Sequence, residues 1–393
     1  MKILEKLFKK KRKLVIGLMS GTSADGIDAA LVEIRGSGTQ TSVRQIAFQT
    51  HSFPSGFKRF LLQNSDPSTA RLDDIPRLDM LIATLFADAA KSVVREAGYR
   101  MEEVDLIGSH GQTIQHLPNS RKMFGRNVHA TMQVGNPSVI AKMTGVVTVG
   151  DFRTGDVALG GSGAPLVPYF DYLMFRSSKL HRALLNVGGI ANITVLPRRC
   201  SVEEVIAFDT GPGNMIVDAL SQKLYHEPFD RDGGNASVGK IIPQLLRWMM
   251  AHRYFRKYPP KSTGREMFGE EFLKDFFLKV KHLRKEDILA TASEFTALSV
   301  YDSYLRFIRK KTKLNELLVS GGGVHNMYIM NALKKFFNEV TVKPLEHVGV
   351  SSDAKEAICF AVLANETISG NPNNIPNVTG AKQRTPLGVI CLP

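Results

Sequence analysis

Apolar positions along the chain follow two rhythms, short β-like runs and longer helical stripes. Residues 13–19 (KLVIGLM) and 29–34 (AALVEI) are strand-like runs joined by SGTSADGID, which predicts a strand, a Gly/Ser/Thr turn and a returning strand. A helix is expected over 79–97, with Ile82, Phe86, Ala89 and Val93 on one stripe and Gly98 as its C-cap. Short strands are expected at 104–109 and 146–150. A second strand–turn–strand follows near Ala183: ALLNV, a GG turn, then IANITVL, and the run EVIAF then leads straight into DTGPGN. From Ile288, the apolar residues Ala292, Phe295, Leu298, Tyr301, Leu305 and Ile308 recur at helical spacing. The strand ELLVS, the turn GGGVHN, a helix through Phe337, a strand at 340–342 and a last helix at about 352–366 complete the pattern, with Ser351, Ser352 and Asp353 as cap candidates. Two distant copies of a Gly-rich hairpin suggest two related α/β domains. A single doubly wound sheet fits less well, because strands and helices alternate only in the C-terminal stretches.

Composition adds little to this picture, but charge adds something. The 393 residues are 43% hydrophobic and 22% charged, which suits two or three domains with sizeable cores and excludes disorder, collagen and a disulfide-stapled miniature. The net charge of +14 favours anionic partners. Seven basic side chains lie within residues 1–13 against Glu5 alone, so +6 of that charge belongs to a leader. The apolar run after the leader is too short for a signal peptide, and no stretch reaches 18 consecutive apolar residues. The leader is expected to be a solvated, partly frayed tail, with transient contact to a membrane surface or nucleic acid as the alternative. Cys200, Cys359 and Cys391 are isolated thiols without metal-site spacing, consistent with a reducing cytoplasm.

Four Gly-rich segments carry candidate chemistry. GTSADGID (21–28) offers glycines, two hydroxyls and the carboxylates Asp25 and Asp28. It could be a phosphate cradle with an acid for Mg²⁺ held through water, or a turn using these residues for their conformations. NVGGIAN (186–192) repeats the device. In FDTGPGN (208–214), a strand delivers Asp209 into a turn with few steric neighbours, where it could serve as general base or simply cap the turn. SGGGVHN (320–326) bares backbone on which a flat ligand could lie, or is only a tight loop. Walker A, GxGxxG, HExxH and GxSxG patterns are all absent. One Trp and an 8% aromatic share supply no stacking platform, which argues against nucleic-acid recognition.

These segments, together with GSHGQTIQHLP, GDFRTGDVALGGSGAPLVP, PKSTGRE and NVTGA, occur in an order that closely resembles the anhydro-N-acetylmuramic acid kinase family, from about residue 14 to 393. The resemblance implies an α/β fold of two related ribonuclease-H-like (actin/sugar-kinase-like) domains around a nucleotide cleft. The expected layout is a basic leader 1–13, an N-terminal domain 14–150 and a C-terminal domain 151–393, whose final stretch packs back on the N-terminal domain. It further implies that ATP phosphorylates O6 of 1,6-anhydro-N-acetylmuramate as the anhydro ring is hydrolysed, giving N-acetylmuramate 6-phosphate and ADP in peptidoglycan recycling. By similarity, Asp209 is the base. Gly21, Thr22, Ser23, Asp25, Gly26, Asp28, Gly188, Gly189, Asn192, Gly321, Gly322 and Gly323 surround ATP, and Asp25 holds Mg²⁺ through water. Glu356, His110, Gln112, Asp151 and Arg153 contact the sugar acid. A cytoplasmic homodimer without nucleic acid or stable membrane association is expected.

The chain departs from the family pattern in one place. Family members often read DFRRRD where this chain has DFRTGD, so Thr154 and Gly155 stand in place of two arginines. Recognition of the lactyl carboxylate then falls to Arg153 or another cation. Two other readings remain at this stage, an ATPase module without sugar chemistry and a charge-driven adaptor resting on the leader alone.

Overall fold

The computed structural model describes residues 2–21 and 24–393, apart from the side chain of Arg265. The chain divides into two compact units, Met1–Met174 with Asp353–Pro393, and Phe175–Ser352.

The first unit is built on β1 (Arg12–Ser20), β2 (Gly26–Arg35), β3 (Ser42–Ser52), β4 (Leu106–Met123), β5 (Arg126–Val134) and β6 (Thr148–Gly150). β1 and β2 are buried almost end to end, which explains their unbroken apolar runs. Strands β1, β2 and β3 are antiparallel neighbours, while β4 joins β1 in parallel and β6 joins β4 in parallel. The helix Asp74–Glu96 lays Leu78, Ile82, Phe86, Ala90 and Val93 into a core with Ile16, Leu18 and Leu31. It begins five residues before the expected start, over a turn whose polar residues hide the onset of the stripe. The long β4–β5 hairpin is not foreseen by the sequence pattern, because its outer half alternates weakly.

The second unit repeats the plan with β7 (Arg182–Val187), β8 (Ile190–Leu196), β9 (Ile206–Pro212), β10 (Glu316–Ser320) and β11 (Thr341–Pro344). Its order, β11-β10-β7-β8-β9, matches β6-β4-β1-β2-β3 of the first unit strand for strand and direction for direction. Two copies of one α/β plan are therefore present, as the paired hairpins suggest. The helix Lys285–Ser303 is not amphipathic as expected. It is buried nearly all round, with Ala297 and Val300 in the sheet's core and Ile288, Ala292 and Phe295 in a second, phenylalanine-rich core. The small Ala, Ser and Thr residues between its large side chains read as a polar face but serve close packing.

The strand β12 (Val389–Cys391) pairs antiparallel with β6, so the chain ends in the first unit. The buried Asp156 carboxylate accepts hydrogen bonds from Asn374 Nδ2, Thr379 Oγ1 and the Gly163 amide at 2.8–2.9 Å, tying the terminal segment down. The expected boundary at 150/151 moves to 174/175, and the return begins at Asp353 with the helix Lys355–Ile368 packed on β1 and β4. Ala354, not Ser351, Ser352 or Asp353, occupies the N-cap of that helix. Lys355, buried and 2.8 Å from the Asp171 carboxylate, fixes its first turn.

The leader is also corrected. Residues Lys2–Lys9 form a helix that buries Leu7, and Arg12 already belongs to β1. Lys13 is buried and donates from Nζ to Asn365 Oδ1 at 3.1 Å. Lys2, Lys6, Lys9, Lys10, Lys11 and Arg12 face solvent.

Candidate active site

In the second unit, cross-strand register places Ser320, Asn186, Asn192 and Asp209 in one row across β10, β7, β8 and β9. A polar row across an otherwise apolar sheet needs a use, because polar burial without partners is costly. Three glycine turns meet beside it. The Gly188 carbonyl accepts from Asn214 N, and that of Gly189 from Gly213 N and Met215 N, at 2.7–3.2 Å. Gly213 sits so close to Gly188 O that a Cβ there would lie at 2.3 Å. Gly321 (φ +80°) has Asn186 Oδ1 2.6 Å from where its Cβ would be, and Gly323 crowds Val187 in the same way. Gly188, Gly189, Asn192, Gly321, Gly322 and Gly323 thus gather around one end of β7. The interlock runs mostly through carbonyls, however, and the Gly188 N–H is itself taken by Ile190 O at 3.1 Å.

Asp209 stands at the end of that row. Its carboxylate Oδ2 accepts the Thr263 N–H at 2.9 Å, its own N–H donates to Lys261 O at 3.1 Å, and Tyr254 Oη donates to its carbonyl at 2.5 Å. Burial pushes the carboxyl up to about 6; Glu266 adds to this, while the Thr263 amide and Lys261 oppose it. A carboxylate with a pKa near neutrality and one oxygen left by Thr263 is suited to accept a proton.

In the first unit, the β4 residue His110 and Arg153 form a buried pair. Arg153 Nε donates to His110 Nε2 at 3.0 Å, and Nη2 lies 2.9 Å from the same atom. The other ring nitrogen, Nδ1, is 3.0 Å from Gly111 O. A guanidinium can only donate, so Nε2 must be the acceptor and Nδ1 must carry the proton. Burial, with the Arg153 charge beside it, holds His110 well below the usual imidazole range. Arg153 itself is lowered to about 10 by burial, against the pull of Glu356. Glu356 opens the helix Lys355–Ile368, and burial raises its carboxyl; Lys355 and Arg153 oppose the rise and Asp28 adds to it. A cavity of about 270 Å³ is lined by Ser109, His110, Gln133, Asp79, Asp151 and Thr154. Asp151 accepts the Thr154 N–H at 3.2 Å from a backbone at φ +52°.

The first hairpin turn is held by Gln112. Ser20 Oγ donates to Gln112 Oε1 at 2.6 Å, and Gln112 Nε2 donates to Gly21 O at 3.2 Å. Both ends of the Gln112 amide thus shape the loop from below. Gly26 enters β2 where a Cβ would meet His51 O at 2.6 Å. Asp25 is 65% exposed and lies 2.5 Å from Lys58 Nζ. Asp28 accepts from Thr50 Oγ1 at 2.7 Å, and burial raises its carboxyl. Thr22 and Ser23 lie outside the described residues. Among the described residues no cluster of three or more His, Cys, Asp or Glu side chains could hold a metal ion.

A protein-family model described as "AnmK: Anhydro-N-acetylmuramic acid kinase" matches residues 13–393. The chain belongs to that family. Proteins named anhydro-N-acetylmuramic acid kinase from Salinibacter ruber and Caldanaerobacter subterraneus subsp. tengcongensis are 46% identical over 389 residues and 45% over 391, each covering 98% of this chain and 98% and 99% of their own length. One from Clostridioides difficile is 44% identical over 95% of this chain and 97% of its own. A solved ROK hexokinase from Thermus thermophilus covers 89% of this chain and 98% of its own at 13% identity and a TM-score of 0.38. The anhydro-N-acetylmuramic acid kinases are phosphotransferases with an alcohol group as acceptor, and this chain is one of them.

Some residues of this family member escaped the sequence reading. Tyr254, Lys261 and Thr263 all bear on Asp209, and only the PKSTGRE segment hinted at the last two. Asp218, nine residues after Asp209, is raised to about 6 by burial alone. In the sequence it reads as an ordinary helix residue. No described helix is long and apolar enough to cross a membrane.

Proposed function

We propose that this kinase acts on 1,6-anhydro-N-acetylmuramate, opening the anhydro ring and phosphorylating O6 with ATP in the recycling of peptidoglycan. The carrying observation is Asp209, a carboxyl raised to about 6 within the edge strand β9, with one oxygen held by the Thr263 amide. Water oxygen bonds to C1 as the C1–O6 bond breaks, and Asp209 takes the water proton. O6 bonds to the γ-phosphorus as its bond to the departing ADP breaks. The products are N-acetylmuramate 6-phosphate, ADP and a proton. Acetal hydrolysis ordinarily takes two carboxyl groups, one of them protonating the leaving oxygen. Capture of O6 by the phosphoryl group makes that second acid unnecessary. Positioning and charge dominate phosphoryl transfer, so the backbone turns at Gly188–Gly189 and Gly321–Gly323 serve as the nucleotide platform.

Mg²⁺ fits as a hydrated ion on Asp25, an oxygen donor reachable from solvent and now paired with Lys58. When bound it would supply charge neutralisation for the phosphates of ATP. The sugar side is His110 and Asp151, which line the cavity, with Arg153 bonded to His110 and Glu356 acting on Arg153; Arg153 is the cation for the lactyl carboxylate in place of the arginines absent at 154 and 155. Gln112 supports this side through the loop. Cytoplasmic, homodimeric action completes the reading.

The test is turnover of anhydro-N-acetylmuramate with ATP and Mg²⁺ in ¹⁸O-water. ADP and sugar phosphate should form one to one, with no label in the phosphoryl group. Sugar-independent release of labelled phosphate would instead support the ATPase module. A parallel assay with the anhydro-sugar lacking the lactyl group should show weaker binding, and equal KM values would remove Arg153 as the lactyl cation.

A further inference from the structure

The PKSTGRE segment enters the chemistry above only through the Thr263 amide, yet its lysine is an unusual buried group. Lys261 is 8% exposed, and its ammonium has no hydrogen-bond partner. It sits 4.6 Å from the ring centroids of Tyr254 and Phe307 and 5.7 Å from that of Phe208. A buried ammonium without hydrogen bonds is costly, and three aromatic faces offset only part of that cost. A Met or Leu side chain would fill such a cage without the penalty.

The cage is built around Asp209. Phe208 is its neighbour on β9, and Tyr254 donates to its carbonyl. Residues 257–264 form neither helix nor strand, yet they supply two of the contacts that hold Asp209, the Lys261 carbonyl and the Thr263 amide. The Lys261 side chain anchors this irregular segment against β9 at Asp209. We infer that Lys261 is a positioning residue for Asp209. Caged by Tyr254, Phe208 and Phe307, it fixes the Lys261–Thr263 backbone against the carboxylate and places an ammonium without hydrogen bonds near it.

The electrostatics support that geometry. Lys261 lowers the Asp209 carboxyl against burial, and burial brings Lys261 down to about 8. Around them, Glu266 and Tyr254 act with Asp209, while Asp302, Arg306 and Lys257 act on Lys261. This inference rests on Asp209 being the base, so its test includes a measurement that needs no turnover.

In Lys261→Met, the cage stays filled and the charge is lost. The kcat for the anhydro-sugar should fall about tenfold or more with KM nearly unchanged, and the acid limb of the kcat profile should move to higher pH. The Asp209 carboxyl, followed by carbon NMR in labelled protein, should titrate at higher pH than in the wild type. Lys261→Arg, which keeps the charge, should restore most of both. If Lys261→Met fails to fold, Phe307→Leu opens one wall of the cage and keeps the charge. It should lower kcat without moving the acid limb. Unchanged kcat and unchanged Asp209 titration in Lys261→Met, or unchanged kcat in Phe307→Leu, would overturn the inference. A wild type that turns over no anhydro-sugar while its Asp209 titration still depends on Lys261 would overturn the proposed reaction and leave the positioning role standing.

Discussion

Gly17 of β1 and Gly108 of β4 are cross-strand partners, and the helix Lys355–Ile368 rests its backbone on both. A Cβ on Gly17 would lie 1.8 Å from Ala357 O, and one on Gly108 would lie 2.1 Å from Phe360 O. Neither obstacle is a side chain that could turn aside. This bare patch lets the helix approach closely enough to present Glu356 and to pack Phe360 against His110, with 4.6 Å between ring centroids.

Gly17→Ala or Gly108→Ala should therefore force the helix outward and cost about 3 kcal/mol or more, at the upper end for overpacking. Denaturant unfolding would show it. The double variant should lose less than the sum, because both changes displace the same helix. A neutral Gly17→Ala would mean the helix is not seated as described.

The Arg153–His110 pair sets a protonation state that direct measurement can read. Nitrogen–proton NMR should show the His110 ring with its single proton on Nδ1 and still neutral at pH 6.5, where an ordinary imidazole is half protonated. Its pKa is depressed well below the ordinary 6.5, so at lower pH the unfolded chain binds a proton that the folded chain refuses. Stability should accordingly fall as pH drops below 6.5. Arg153→Met removes one depressing charge and should move the His110 titration upward.

These two features differ in how far the sequence reveals them. The hairpins at β1–β2 and β7–β8 are legible because strand alternation and Gly turns are local signals. The strand bearing Asp209 is legible too, but β9 runs on through Thr210–Pro212 where the glycines and proline suggest a turn. By contrast, the Arg153–His110 bond joins positions 43 apart, and nothing near either residue announces the other. Lys261 looks like a surface lysine in a proline-containing loop, since burial of an ammonium in an aromatic cage leaves no periodic trace. The helix Lys285–Ser303 misleads for a related reason, because alanine, serine and threonine look like a solvent face until two cores close on them.

Lys13 illustrates the same difficulty and yields a prediction. Grouped with six other basic residues it reads as part of a tail, yet it meets Asn365 across 352 positions. Lys13→Met would strand Asn365 Oδ1 and should cost about 1–3 kcal/mol. Deleting residues 2–9 removes one buried side chain, Leu7, and should leave kcat and KM unchanged. A steady-state assay of the truncated protein checks this, and lost catalysis would give the leader a role that its position does not explain.

Asp209→Asn separates catalysis from stability. The amide keeps an acceptor for the Thr263 N–H but cannot take a proton, so kcat should fall about 10²–10⁴-fold while ATP still binds. In the wild type, kcat should rise with pH through about 6 as the carboxyl ionises. Stability runs the other way. The folded carboxyl keeps its proton up to about pH 6, whereas an unfolded aspartate releases it near 3.8, so the folded protein loses stability as pH rises between those values. Above pH 7, Asp209→Asn should therefore be the more stable protein by on the order of 2–3 kcal/mol, a gain that shrinks toward zero below pH 4. Thermal melts of both proteins at pH 4 and pH 8 decide it. An inactive variant that is less stable at pH 8 would show that Asp209 is a structural anion, held for folding and not for proton transfer.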